Sequence, residues 1–311
     1  MQLDKEVIII GGGAAGLTAA QYSARSNLST LVIEELATGG QALIIDRLEN
    51  YPGFPEPING MEFSQRMEEQ AKRFGAEIVG ATVTGLRKAA HYFEIETTRG
   101  VLTSHVVILA TGAKHKTLDI PGELEFTGRG VSYCATCDGP FFKNRKILVV
   151  GGGDAACDEG TFLSGLTEKV TVVHRRDRFR AQRSIAERVL HNPHIEARFS
   201  TIVKEIKGDT KVRSVVLVDL NTGKEYEEEC DAVFVFIGSI PQTQLVPDVP
   251  KDEGGYVITN ARMETSVPGL YCVGDVRNTP FRQLVTVAAD GAVAAHCAAQ
   301  YIDELRGEGY R

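Results

Sequence analysis

Residues 6–16, EVIIIGGGAAG, and residues 146–156, KILVVGGGDAA, carry the same pattern 140 positions apart. Each is a β-branched apolar run, a glycine cluster and Ala-rich text able to open a helix. A second apolar strand follows each, TLVI at 30–33 and KVTVV at 169–173. Strand, glycine turn, helix and strand form the start of a dinucleotide-binding unit, and a chain that writes it twice is held to an α/β fold with two such units. Each unit closes on a further strand ending in glycine, VVILATG at 106–112 and AVFVFIG at 232–238. Segments of alternating apolar character at 92–97 and 215–218 read as antiparallel strands laid on the main sheets. The tail adds a strand at 270–273, then Gly274-Asp275, then an Ala-rich helix of 3.6-residue period over about 284–305.

The length of 311 residues agrees with two domains. With 43% hydrophobic and 24% charged residues, the composition is that of an ordinary soluble protein. A net charge of −7, with a single short basic cluster, argues against a nucleic-acid partner. The N-terminus has no signal-peptide pattern and no apolar run is long enough for a membrane helix, so a cytoplasmic protein is expected. Six cysteines in such a chain do not make a disulphide framework. Cys157, Cys230, Cys272 and Cys297 stand singly in apolar or helical text and read as small core residues. Only Cys134 and Cys137 form a pair.

A lone G-x-G-x-x-G can be nothing more than a tight turn. Gly11, Gly13 and Gly16 gain weight because they follow a strand and open a helix through Ala14 and Ala15. The first glycine permits the turn, the second lets backbone approach a pyrophosphate, and the third lets helix pack on strand. The next strand ends in Glu34-Glu35. A carboxylate there accepts from ribose hydroxyls and repels a 2′-phosphate, which suits the adenosine ribose of FAD or NAD. The second turn comprises Gly151, Gly153, Asp154, Ala155 and Ala156, and its next strand ends in His174-Arg175-Arg176-Asp177-Arg178-Phe179-Arg180. This could be a solvated basic loop. Its place in the unit, where a 2′-phosphate would lie, favours NADPH held by Arg175, Arg176 and Arg180. One flavin site and one NADPH site in a single chain point to hydride transfer between them.

Cys134-Ala-Thr-Cys137-Asp138-Gly139 lies between the units. Half a zinc site would need a second cysteine pair, and none is present. Two-residue spacing lets the sulphurs close a redox disulphide, and Asp138 is placed to exchange a proton with them.

From end to end the motifs resemble the low-molecular-weight thioredoxin reductases, NADPH-dependent and FAD-containing members of the pyridine nucleotide-disulphide oxidoreductases. They run from the Gly11 turn through Thr38-Gly39-Gly40-Gln41, Glu49-Asn50-Tyr51-Pro52-Gly53-Phe54 and Ala110-Thr111-Gly112 to Cys134-Ala-Thr-Cys137-Asp138-Gly139. His174-Arg-Arg-Asp-x-Phe-Arg180, Phe236-x-Gly238, Gly274-Asp275-Val276 and Arg282-Gln283 follow. The resemblance implies two Rossmann-like domains of three-layer β-β-α type, the NADPH domain (116–242) inserted into an FAD domain made of 1–115 and 243–311. It implies that Gly40, Gln41, Asn50, Ala110, Thr111, Gly112, Gly274, Asp275, Arg282, Gln283 and Leu284 border FAD, and that Ile237 and Gly238 border NADPH. It further implies that Cys137 faces the flavin, Cys134 attacks the disulphide of thioredoxin, and Asp138 is the acid–base group. A homodimer and rotation of one domain between half-reactions are also implied. The chain departs from the family at Ala155, where Ser or Thr is frequent, at Asp158, and at Gln242, Asn278 and Phe281. Rival expectations keep the flavin and change the partner to a glutaredoxin-like protein or a peroxidase disulphide, or change the electron source to ferredoxin. A flavin-binding redox sensor without turnover is the non-enzymatic rival.

Overall fold

In the computed structural model, which describes residues 3–45, 48 and 50–308, the apolar runs of the repeat are parallel strands buried on both faces. Along the chain come β1 (Lys5–Ile10), α1 (Ala14–Arg25), β2 (Thr30–Glu34), α2 (Gly60–Arg73), β3 (Glu77–Gly80), β4 (Val83–Lys88), β5 (Phe93–Thr97) and β6 (Gly100–Leu109). A short β7 (Ala113–His115) leads to β8 (Val131–Ser132), α3 (Ala135–Asp138), β9 (Ile147–Gly151), α4 (Asp154–Ser164), β10 (Val170–Val173), α5 (Arg183–Leu190) and β11 (Ile195–Arg198). An antiparallel meander, β12 (Thr201–Gly208), β13 (Val212–Asp219) and β14 (Glu225–Glu229), precedes β15 (Ala232–Phe236), β16 (Ser239–Pro241), β17 (Leu270–Cys272) and α6 (Leu284–Arg306).

Two units result. One takes the chain up to Lys114 and again from Ile240; the other is His115–Ser239. The boundaries expected from sequence, after 115 and after 242, lie one and three residues further along.

In the first unit the sheet order is β3-β2-β1-β6-β5-β4, with β17 also on β6. Strand β6 changes partner along its length: residues 100–104 pair antiparallel with β5, and 107–109 pair parallel with β17. Period-two alternation assigns its two faces. Val7, Ile9, Val106 and Ile108 pack under Ala15, Ala19 and Ala20 of α1 and Ala294, Ala298 and Ile302 of α6. Ile8, Ile10, Val107 and Leu109 pack under Phe93, Ile95 and the 245–257 segment. The alanines matter because α1 and α6 run close together: a Cβ on Gly291 would run into the carbonyl of Ala15. Gly307, with φ +74, ends α6 in the left-handed conformation that favours glycine.

The second unit is built the same way, with sheet order β11-β10-β9-β15-β8. Leu148, Val150, Val233 and Val235 face Val203, Ile206, Val215 and Leu217 of the meander. Ile147, Val149, Val172 and Phe234 face Ala156, Cys157 and Leu163 of α4. Sheet, antiparallel layer and helical layer give the expected β-β-α architecture. Among the described residues no helix is long and apolar enough to cross a membrane.

Candidate functional site

The first glycine turn is shaped by backbone. Gly11 has φ +104, and a Cβ on it would strike the carbonyl oxygen of Ala110 on the neighbouring strand. Gly16 stands so close to Gly11 that its Cβ would meet that residue's carbonyl, which is why α1 can start directly on β1. Beside Gly13 the nearest atoms to a Cβ, Gly39 O and Gly40 Cα, are 4.0 Å away, leaving room before the helix N-terminus. The loop 38–41 seats on this turn through Gly39 N–H to Gly12 O at 2.8 Å. Glu34 turns its carboxylate to the turn, accepting the N–H of Gly12 at 2.7 Å and of Leu36 at 3.0 Å. Glu35 is exposed and accepts from the Thr82 hydroxyl at 3.4 Å, so Glu34 is the acid that faces the turn.

Other expected residues of this unit are tied together around the turn. Gln41 Nε2 donates to Ala113 O at 3.2 Å, and Thr111 Oγ1 donates to Gln242 O at 2.6 Å. Gly112, at φ +68, accepts from Gln242 N–H at 2.9 Å. Asn50 Nδ2 donates to Gln283 Oε1 at 2.9 Å, one residue before Leu284 opens α6. Asp275 sits in a 3₁₀ turn, Gly274–Val276. Its Oδ1 and the Nε of Arg282 are both buried without a hydrogen-bond partner among the described residues. Burial pushes the Asp275 carboxyl above its ordinary range, with Arg282 opposing and Asp290 adding to the shift. The Arg282 guanidinium lies 4.1 Å over the Tyr256 ring. Glu49 lies outside the described residues.

In the second turn a side chain takes the place of the acid. A Cβ on Gly152 would collide with the ring of His174. That ring is buried, and its Nε2 has no partner among the described residues. Burial first, then Arg180, Arg176 and Arg175, hold its pKa below the ordinary histidine value. Arg175, Arg176, Arg178 and Arg180 are exposed, and among the described residues no carboxylate pairs with them. Gly153 has nothing within 4 Å of a Cβ, so the N-terminus of α4 is open. Asp154 there is engaged with Gln182, accepting its backbone N–H at 2.7 Å and side-chain amide at 3.2 Å. Ala155 is exposed and Ala156 is buried under the sheet. At the end of β15, Ile237 packs on the meander side and Gly238, at φ +106, accepts from Lys116 N–H at 2.9 Å.

Cys134 is disulphide-bonded, whereas Cys157, Cys230, Cys272 and Cys297 are free and buried. Burial pushes the Cys157 thiol up to about 11, which fits an inert core residue. The Cys134 sulphur is 3.4 Å from Thr136 Oγ1. Cys137 lies in α3, and its side chain is outside the described part of the structure. Ser132 holds the segment together: its hydroxyl is 2.6 Å from Asp138 Oδ2 and accepts the Cys134 N–H at 3.1 Å.

The family model of the pyridine nucleotide-disulphide oxidoreductases matches residues 5–294. The chain is 56% identical to the thioredoxin reductase of Treponema pallidum over 306 residues, covering 98% of this chain and all of that one. It is 45% identical to the thioredoxin reductase of Bacillus subtilis, covering 97% and 96% of the two chains. Among solved structures, the thioredoxin reductase of Streptococcus pyogenes superposes with a TM-score of 0.86 at 41% identity, covering 96% and 98%. The chain belongs to the pyridine nucleotide-disulphide oxidoreductases.

Membership in this family carries use of a flavin and a pyridine nucleotide. The residues present fit a flavin: the buried Asp275 Oδ1 and Arg282 Nε have no partner among the described residues, and Gly13 leaves its helix N-terminus open. Of this oxidoreductase's groups, sequence reasoning gave no role to Ser132, although a serine two residues before a turn is a frequent backbone acceptor. It also passed over Arg277 and Asp290, which are ion-paired at 3.1 Å and nearly buried. Spacing alone does not bring those two together; the fold does.

Proposed function

We propose that the chain transfers electrons from NADPH, through FAD, to the Cys134–Cys137 disulphide and on to the disulphide of thioredoxin. The observation that carries this is the disulphide-bonded Cys134 in the same unit as a glycine turn fringed by exposed arginines. Bound in the first unit, FAD would supply a two-electron carrier between nicotinamide and disulphide.

The chain's own residues have definable tasks. Glu34, already ordered by two backbone N–H groups, accepts from ribose hydroxyls with its remaining lone pairs. Gly40, Gln41, Asn50, Thr111 and Gln283 would line that unit's site, and Asp275 Oδ1 and Arg282 Nε would be available to hold the flavin. Arg175, Arg176 and Arg180 clamp the 2′-phosphate. After reduction of the pair, the Cys134 thiolate attacks a partner sulphur, forming a mixed disulphide and releasing one partner thiolate. Cys137 then attacks Cys134, closes the pair and frees the second partner thiolate. Asp138, fixed by Ser132, gives and takes the proton. Rotation of the NADPH unit between half-reactions, a homodimer and a cytoplasmic location belong to the same proposal.

The deciding experiment is steady-state oxidation of NADPH by oxidised thioredoxin, with glutaredoxin, a peroxidase disulphide and reduced ferredoxin as competitors. Turnover with thioredoxin at catalytic enzyme concentration supports the proposal. Turnover only with another partner, or none, overturns it.

A further inference from the structure

We infer that the buried ion pair Arg277–Asp290 positions the Gly274–Asp275 turn and thereby sets how tightly the chain holds its flavin. This rests on the flavin reading of that turn and goes beyond it by naming two residues that would not themselves touch the flavin.

The inference starts from one oxygen. Asp290 Oδ2 accepts the backbone N–H of Gly274 at 3.1 Å and the Arg277 guanidinium, also at 3.1 Å. Both side chains are nearly buried, at 12% and 14% exposure, so the pair is poorly screened by solvent. Gly274 has φ +72, and a Cβ on it would stand 3.1 Å from the Ala15 Cβ. Its N–H is met by Asp290 from α6. On the other side, Arg277 Nε donates to Thr259 Oγ1 at 2.6 Å. Backbone bonds from Val257 N–H to Val276 O and from Asn278 N–H to Val257 O, at 3.0 and 2.9 Å, complete that contact. The turn is gripped by α6 through Asp290 and by the 257–259 segment through Arg277. Between the grips stands Asp275, with a buried oxygen that has no partner among the described residues.

Charge gives the pair a second task. Asp290 lies near enough to Asp275 to disfavour its ionisation, while Arg282 favours it. Burial is the larger cause of the upward shift at Asp275, and Arg277, paired with Asp290, offsets the charge of that second acid. Removing Arg277 alone would leave a buried, uncompensated carboxylate. Removing both charges avoids this, provided that the Gly274 N–H keeps an acceptor.

Two double variants separate positioning from bulk stability. Arg277→Met/Asp290→Asn keeps a side-chain oxygen for Gly274, and Arg277→Met/Asp290→Ala does not. Each flavin-stripped full-length chain is titrated with FAD at a temperature where circular dichroism shows it folded. The Asn variant is expected to bind within about threefold of the parent and the Ala variant about tenfold more weakly, the equivalent of one lost hydrogen bond. Equal affinities of the two would overturn the inference, because stability alone would then account for the pair. A parent chain that binds no FAD would instead overturn the flavin reading itself.

Discussion

Gly12 and Gly152 occupy the same place in two turns of one design, and each is met by the residue that ends or follows the next strand. At Gly12 the neighbour is Glu34, whose carboxylate accepts the glycine N–H at 2.7 Å. At Gly152 it is His174, whose ring lies where a Cβ would go. The first turn thus presents an anion ordered by backbone; the second presents a buried imidazole inside a ring of exposed arginines. The helices differ to match. The first turn of α1 carries no acid, while the acid opening α4 is taken up by Gln182. One fold has been tuned for opposite charge requirements, and the tuning lies in two or three side chains.

The strongest way to break the comparison is to remove one sulphur of the Cys134–Cys137 pair. Cys134→Ser and Cys137→Ser should each reduce thioredoxin-dependent turnover to background. Both variants should still let NADPH bleach the flavin, since that step needs the two nucleotide sites alone. Stopped-flow absorbance of the flavin, run beside the steady-state assay, checks this. A serine variant with full turnover would remove the disulphide from the mechanism.

Next in size is a glycine exchange between turns. Position 16 is glycine where the second turn has Ala156. A Cβ at 16 would run into the carbonyl of Gly11, and backbone there cannot swing aside. Gly16→Ala should therefore cost about 3 kcal/mol and lower the flavin content. Ala156→Gly should cost only about 1 kcal/mol, the helix-propensity difference, with a small cavity added. Urea unfolding and the flavin-to-protein absorbance ratio measure both. Equal costs would mean that the two turns are packed alike.

How far these contrasts were legible in the sequence depends on what holds each residue. Both turns, β1, β2, β9, β15 and α6 could be read to within two residues, because period-two and 3.6-residue patterns encode them locally. The acid at 34 and the arginines at 175, 176 and 180 were legible for the same reason: their distance from a glycine turn is fixed by one helix and one strand. Glu34 and Glu35 could not be told apart by spacing; strand alternation in the structure turns only Glu34 to Gly12. Asn50 on Gln283 and Arg277 on Asp290 depend on tertiary packing, and no local period carries that. Ser132 carries no local signal of its task, which shows only in its hydroxyl set between Asp138 and the Cys134 amide.

A smaller effect sharpens the charge contrast. Arg175→Ala/Arg176→Ala should raise the KM for NADPH by about tenfold or more, each charge-assisted contact being worth about 1.5–3 kcal/mol. The KM for NADH should change little, because these side chains have nothing to hold on a bare ribose. Initial-rate kinetics with both nucleotides decide it. A parallel rise in both would show that the cluster supports the fold and does not select the phosphate.

The smallest predicted effect belongs to His174, and it isolates the second turn from the first. Unfolded, this imidazole titrates near its ordinary value of about 6.5. In the folded chain, burial first and then Arg180, Arg176 and Arg175 hold its pKa lower. The unfolded state therefore binds more protons in the interval between the two values, and stability must rise with pH there. His174 contributes stability that is complete above the unfolded pKa and is lost as pH falls through the folded one. His174 lies in the second unit, so this contribution belongs there. Urea unfolding of the parent and of His174→Gln between pH 8 and pH 5 should show the parent losing more stability over that interval. Raising salt should narrow the difference, because the arginines are exposed and their field is screened. NADPH should narrow it as well, by neutralising the same arginines, and NADH should not. If parent and variant lose stability in parallel at every salt concentration, folding does not lower the imidazole's pKa, and the electrostatic half of the comparison fails.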